Sequence, residues 1–291
     1  MKVRIGIGAT AGDPEVLASI GDGILAAGFD SLWLPEVLTT SAVDPLVGLA
    51  WAAGRHDRLK VGATMLLPGR HPLRAAKALA SLDRLSGGRL LLTVVPGLPV
   101  PPEREAVGSR APGRAIDELL PLLRRLWSGE EVTWSGGGVT LRGVRLAPVP
   151  LQDPLEVWLG GTGRAALERC GRLGDGWLPA QCTPEQAAAG REVVEAAAAA
   201  AGRTISEEHF GVSIGYAAVA LSRSQREALA ARARGADPAE VVPVGPDALR
   251  ERLERFVAVG FSKFVLRPLQ SPGDWTAELE RLRQTVGDLQ T

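Results

Sequence analysis

Eight short apolar runs, each followed by a helical pattern, predict an α/β fold: a (β/α)8 barrel, or TIM barrel, spanning 1–291 as one domain. The runs lie at 3–8, 31–34, 59–67, 89–95, 156–159, 176–179, 210–220 and 263–267. Their hydrophobicity is nearly continuous rather than alternating, which suits parallel strands covered on both faces. An open doubly wound sheet is the structural alternative, but no early strand is followed by a GxGxxG turn.

The helices carry their own start signals. Asp13-Pro14 and Asp44-Pro45 each offer a capping side chain ahead of a proline at the first helical position. Thr183 with Gln186, and Ser222 with Gln225, match the capping-box spacing. Ala75, Ala78, Leu79 and Leu82 share one helical face, as do Leu249, Leu253, Phe256 and Val257. Ile116, Leu119, Leu120 and Leu123 do the same around Pro121, which predicts a kink. One stretch breaks the rhythm. Extended runs at 131–134 and 139–141 flank Gly136-Gly137-Gly138 and read as a hairpin. With the Pro-rich stretch 142–154 it forms an insertion, about 130–154, between the fourth helix and the fifth strand. Such an insertion is either a lid or edge of a binding cleft or a surface hairpin without function.

Bulk properties narrow the function classes. A hydrophobic fraction of 45% over 291 residues supports a large core. Lys+Arg and Asp+Glu number 33 each, and this zero net charge removes the electrostatic case for nucleic acid or an anionic membrane. Cys170 and Cys182 lie outside any CxxC spacing, so a disulfide framework is excluded and a cytoplasmic setting is expected. Cys182 reads as a small half-buried residue rather than a nucleophile. No segment approaches the ~20 apolar residues of a membrane span, and the amino terminus lacks a signal-peptide run. His56, His71 and His209 are scattered without metal-ligand spacing, so no metal is expected. A small-molecule substrate remains.

In a barrel the working groups lie at the carboxyl ends of the strands. Glu36 ends the second strand, where a carboxylate can position a ring, shuttle a proton or merely cap a loop amide. Thr64 ends the third among small residues that let a flat ring approach the backbone. His71, just before Pro72, reads as a helix cap. Pro96 and Gly97 open a stiff Pro-rich loop able to wall a pocket, and Glu103 and Glu105 within it read as solvated. Gly160-Gly161-Thr162-Gly163 leads the fifth strand into a helix and exposes backbone N–H groups. Arg164 adds positive charge to that first turn, unfavourable unless an anion sits there, so the turn is a candidate phosphate site. Arg267 ends the last strand, placed to bind an anionic substrate or cofactor tail, or to pair with a loop carboxylate. With few acid–base groups at the mouth, an organic cofactor that carries the reaction fits best.

These segments resemble the luciferase-like monooxygenase superfamily. Ala27-Gly28-Phe29-Asp30-Ser31-Leu32-Trp33-Leu34-Pro35-Glu36 is similar to its second-strand signature, and Leu82-Asp83-Arg84-Leu85-Ser86-Gly87-Gly88-Arg89 to its fourth-strand entry. Gly160-Gly161-Thr162-Gly163 and Gly174-Asp175-Gly176-Trp177 are similar to its phosphate turn and sixth strand. The resemblance spans nearly the whole chain in the right order and leans toward the branch that uses the deazaflavin coenzyme F420. It implies a flavin-type ring over the third strand, on a bulge with a cis peptide between Thr64 and Met65. It also implies phosphate contacts at Gly160, Gly161, Thr162 and Gly163, a cofactor tail along Pro96 and Gly97, and a homodimer. Two departures stand out. Val37 follows Glu36 where the family often has His, and the fourth strand ends in Pro96-Gly97-Leu98-Pro99-Val100-Pro101 rather than a Gly-rich acidic turn.

The functions implied are hydride transfer between F420 and a small organic substrate, or an FMN-dependent monooxygenase using O2. A non-catalytic barrel binding a cofactor or metabolite is the alternative from another class.

Overall fold

The structure, a computed structural model, describes residues 1–97, 100–109, 111–232 and 237–291. Each predicted apolar run forms a strand: β1 (Arg4–Gly8), β2 (Ser31–Pro35), β3 (Lys60–Leu66), β4 (Leu90–Val95), β7 (Val157–Leu159), β8 (Gly176–Trp177), β9 (Gly211–Tyr216) and β10 (Lys263–Pro268). The hairpin supplies β5 (Val132–Gly136) and β6 (Val139–Val144). The eight-stranded sheet runs β8-β7-β4-β3-β2-β1-β10-β9, parallel throughout. Parallel bridges Trp177↔Phe210 and Ala180↔Ser213 bring its two ends together, so the expected barrel is the fold observed.

Helices fill the connections: α1 (Pro14–Ala27), α2 (Pro45–Arg55), α3 (Pro72–Leu85), α4 (Pro101–Val107), α5 (Pro112–Trp127), α6 (Arg164–Leu173) and α7 (Pro184–Ala200). After them come α8 (Arg223–Arg232), α9 (Pro238–Val241), α10 (Pro246–Ala258) and α11 (Trp275–Val286). Asp44 caps α2 by accepting from the N–H groups of Leu46 and Val47. Thr183 and Gln186 exchange capping bonds at α7, and Ser222 and Gln225 do so at α8. Asp13 makes no such bond, and α1 opens on the preset φ of Pro14 instead. Pro121 lies within α5, which runs unbroken from Pro112 to Trp127. No helix among the described residues is long and apolar enough to cross a membrane.

Alternation along the strands makes two cores. Outward residues such as Ile5, Ile7, Leu32, Val61, Met65 and Val94 pack with the helix faces in one continuous cluster. Inward residues Trp33, Leu178 and Val265, with Leu91 and Trp158, form a smaller cluster inside the ring. The indole of Trp33 needs room that only glycine leaves. A Cβ on Gly62, or on Gly6, would come within 3.0 Å of it. Gly176 clears the same space for Trp158. Trp33 Nε1 donates to Ser31 Oγ at 2.9 Å, which satisfies the buried indole.

Beneath this aromatic plug, at the amino end of the strands, lies a cavity of about 170 Å³ bordered by Arg4, Lys60, Lys263, Glu156 and His209. The charges there are paired. Asp30 serves Lys60 at 3.0 Å and Arg4 at 3.7 Å, Glu208 faces Lys263 at 3.6 Å, and Glu156 faces His209 at 3.9 Å. The insertion sits at this end as well. Buried Asp83 of α3 accepts from the backbone N–H of Leu151 and Gln152 at 2.6 and 2.9 Å, and Gln152 Nε2 donates onward to Leu90 O at 2.9 Å. The lid alternative is therefore corrected. A segment joining a helix to the next strand emerges where strands begin, away from the barrel mouth.

Because the Trp33 indole fills the space beside Gly62, Gly62→Ala is expected to lower stability by about 1–3 kcal/mol through overpacking. Urea unfolding of the two proteins measures this, and an unchanged midpoint would contradict the plug.

Candidate active site

The carboxyl ends of β2 and β3 are laced together by Glu36. Its Oε2 accepts the Leu66 N–H at 2.7 Å, and its Oε1 accepts from Arg70 Nη2 at 2.6 Å. Arg70 Nε returns to Leu66 O at 3.0 Å, and the Glu36 N–H donates to Thr64 O at 2.7 Å. The carboxylate is 5% exposed with both oxygens engaged, an arrangement that positions the strand ends. Glu103, read from sequence as solvated, is corrected. It is buried, and α4 carries it beneath the loop after β2, where it accepts from the N–H groups of Leu38 and Thr39 and from the Thr39 hydroxyl. No sequence spacing links 103 to 39, so this brace was invisible before folding.

On β3, Thr64 faces inward and keeps partial exposure, while Met65 is fully buried in the outer core. The Met65 side chain thus lies on the face away from the barrel interior, which leaves its backbone for the contact the resemblance implies. The expected cis bond between Thr64 and Met65 is corrected. Cis bonds among the described residues are Ala147-Pro148 and Asp153-Pro154. β3 instead keeps an unbroken parallel register with β4, Thr64↔Thr93, Met65↔Val94 and Leu66↔Val95.

Thr93, on β4, was missed by sequence reasoning. It is buried, and its Oγ1 has no hydrogen-bond partner among the described residues. A lone hydroxyl in the apolar run 90–95 was the available signal. Pro96 and Gly97 follow at the rim, partly buried, with Gly97 set against Leu66 and Val107. Leu98 and Pro99 of the same turn lie outside the described residues.

The β7–α6 turn stands beside Thr93. A Cβ on Gly160 would lie 2.7 Å from Val95 Cγ1 and 3.9 Å from Thr93 Cγ2. Gly161 has φ 107, and a Cβ there would stand 2.9 Å from that of Ala166, so both geometry and space call for glycine. Trp177 Nε1 holds Gly161 O at 2.9 Å. Thr162 and Gly163 are exposed, and Gly163 caps α6 without a side-chain bond, which leaves first-turn N–H groups for an anion. Arg164 is drawn elsewhere. It is largely exposed and pairs with Glu168 at 2.6 Å, so its charge is already balanced and gives no argument for an anion.

Arg267 closes the ring at the mouth end of β10. A Cβ on Gly8 would lie 3.3 Å from both its Nε and its Nη2, which sets the guanidinium inside the barrel. Burial pulls its pKa down to about 10, and among the described residues it has no carboxylate partner. Gln181, after β8, is held at φ 55, the strained conformation of a mouth residue. His71 occupies the N-cap of α3 without a side-chain bond. Both cysteines are buried, with their thiols pushed up to about 12, which leaves them protonated and inert. Among the described residues no cluster of His, Cys, Asp and Glu is arranged to hold a metal.

The sequence pattern described as luciferase-like monooxygenase matches residues 7–284, nearly the entire barrel. The chain belongs to the luciferase-like monooxygenase family. Among curated relatives, a Mycobacterium tuberculosis protein whose name places it with coenzyme F420-dependent oxidoreductases is 29% identical over 73% of this chain and 65% of its own length. The FMNH2-dependent dimethylsulfone monooxygenase of Pseudomonas fluorescens is 31% identical over 63% of this chain and 50% of its own. The chain thus spans between half and about two thirds of these relatives. A solved F420-dependent secondary alcohol dehydrogenase, in complex with an F420–acetone adduct, superposes with a TM-score of 0.82 at 18% identity, covering 100% of both chains. That likeness is one of fold.

Because Glu36 has both oxygens engaged, Glu36→Gln is expected to cost about 1–3 kcal/mol and to loosen the ends of β2 and β3. Thermal unfolding, with amide exchange at Leu66, checks both parts.

Proposed function

We propose that this family member is an oxidoreductase that transfers a hydride between coenzyme F420 and a small organic substrate. One observation carries the reading: the uncapped glycine turn 160–163 stands beside the orphaned Thr93 hydroxyl at the barrel mouth. A buried hydroxyl without a partner and a cradle that a Cβ would fill both suit a flat cofactor with a phosphorylated tail. The backbone N–H groups of Gly161, Thr162, Gly163 and Arg164 would hold the phosphate. Thr64 would lie under the ring, with Pro96 and Gly97 along the tail. When bound, the cofactor supplies the carbon that accepts or donates the hydride.

The chain's own residues orient and exclude water. Glu36 fixes the β2 and β3 ends against which the ring rests, and Glu103 holds the adjoining loop in place. Both carboxylates are occupied, so the pocket relies on the cofactor for its chemistry. Arg267 faces the substrate side. A cytoplasmic homodimer completes the proposal, and the exposed Val47 and Trp51 on α2 offer apolar surface for pairing.

A second reading, an FMN-dependent monooxygenase using O2, is favoured by the 31% identity to the FMNH2-dependent relative. Fluorescence titration with F420, FMN and FMNH2 separates the two, followed by oxygen uptake with the bound cofactor. Gly161→Asp places a side chain and a negative charge in the cradle, and at least about a tenfold loss of cofactor affinity is expected. Equal binding of all three ligands by both proteins would sink the enzyme readings. Tight binding without turnover of any substrate would favour a non-catalytic barrel.

A further inference from the structure

The interior cations of this barrel are treated unequally. At the amino end, Arg4, Lys60 and Lys263 all have carboxylate partners. At the mouth, Arg267 makes no hydrogen bond and no ion pair among the described residues, although its guanidinium carries five donors. The residue keeps some solvent contact, and its guanidinium lies over Gly8 beside Val265. Val265 Cγ1 approaches the Gly8 position as closely as the guanidinium does, at 3.3 Å from a Cβ placed there. Glycine also stands on the other flank, since Gly215 of β9 is the register partner of Arg267. Gly8 is the glycine that leaves room for the guanidinium inside the ring, while the space at Gly215 is taken by Leu269. With no partner among the described residues, the donors of Arg267 are available to an anion that enters the mouth.

The position says what arrives. Counting round the ring, β10 lies three strands from β7, which bears the glycine turn, and directly opposite β4, which bears Thr93. The charge is thus set across the mouth from the phosphate cradle. It stands as a single cation, whose one charge is balanced by one carboxylate and exceeded by a phosphate dianion, and its planar fork can take both carboxylate oxygens.

We propose that Arg267 is the specificity group of this enzyme and that its substrate is a small carboxylate, held by a two-pronged hydrogen bond from the guanidinium. The proposal rests on the redox reading of the same mouth and adds the substrate's class to it. The carboxylate end is the anchor, and the reacting carbon lies toward the Thr93 side, where the cofactor would sit.

The test uses benzoate as probe and benzamide as its neutral counterpart, measured by calorimetry on the full chain with and without F420. Benzoate is expected to bind the wild type at least about tenfold tighter than benzamide. Arg267→Met should erase that preference while leaving the F420 titration unchanged, and Arg267→Lys should retain part of it. Benzoate should also raise the melting temperature of the wild type and not of Arg267→Met. Equal binding of the two probes by the wild type would overturn the proposal, as would a benzoate preference that survives in Arg267→Met. Loss of F420 binding in Arg267→Met with benzoate binding intact would make Arg267 a cofactor contact, which also overturns it. Should Arg267→Met fail to fold, the wild-type ratio together with Arg267→Lys decides. A wild type that prefers benzoate but binds no cofactor would refute the redox reading alone.

Discussion

A ring of eight parallel strands encloses a space that only side chains can fill, and here the indole of Trp33 fills its middle. The ring can close around so large a group because Gly6 and Gly62 present no Cβ to it, and Gly176 makes the same allowance for Trp158. This plug divides the barrel into two unlike ends. Below it the cations Arg4, Lys60 and Lys263 are matched by Asp30 and Glu208. Above it Thr93 and Arg267 have no partner among the described residues.

The mouth is built asymmetrically. On the side of β2, β3 and β4, carboxylates act as braces: Glu36 ties Leu66 and Arg70, and Glu103 ties the loop at Leu38 and Thr39. A carboxylate whose lone pairs are taken by backbone N–H groups and a guanidinium gains more from order than from proton transfer. On the side of β7 and β10 the backbone is left open at the glycine turn, and Arg267 has no partner among the described residues. Rigid scaffold faces unsatisfied donors, a division suited to a bound cofactor and substrate supplying what the protein lacks.

Much of this was legible beforehand. The eight runs, the hairpin, the capping boxes at Thr183 and Ser222 and the glycine turn at 160–163 are local patterns, and local patterns survive folding. The errors share a cause. The cis bond implied between Thr64 and Met65 is absent, because β3 keeps a regular register with β4 through that position. Arg164 was credited to an anion, but its i,i+4 neighbour Glu168 answers its charge. Nothing local to Glu103 marks it as buried, and only the packing of α4 beneath the β2 loop buries it.

The sequence by itself determined the order of strands and helices, the family to which they belong and the place of the glycine turn, because these follow from periodicity and short motifs. Tertiary structure alone decided which polar groups are spent and which are spare. Whether Glu36, Glu103, Thr93 or Arg267 has a partner depends on residues about 30 to 65 positions away, or on none at all. That distinction arises when a closed ring brings strand ends together, and it turns a list of polar residues into a site.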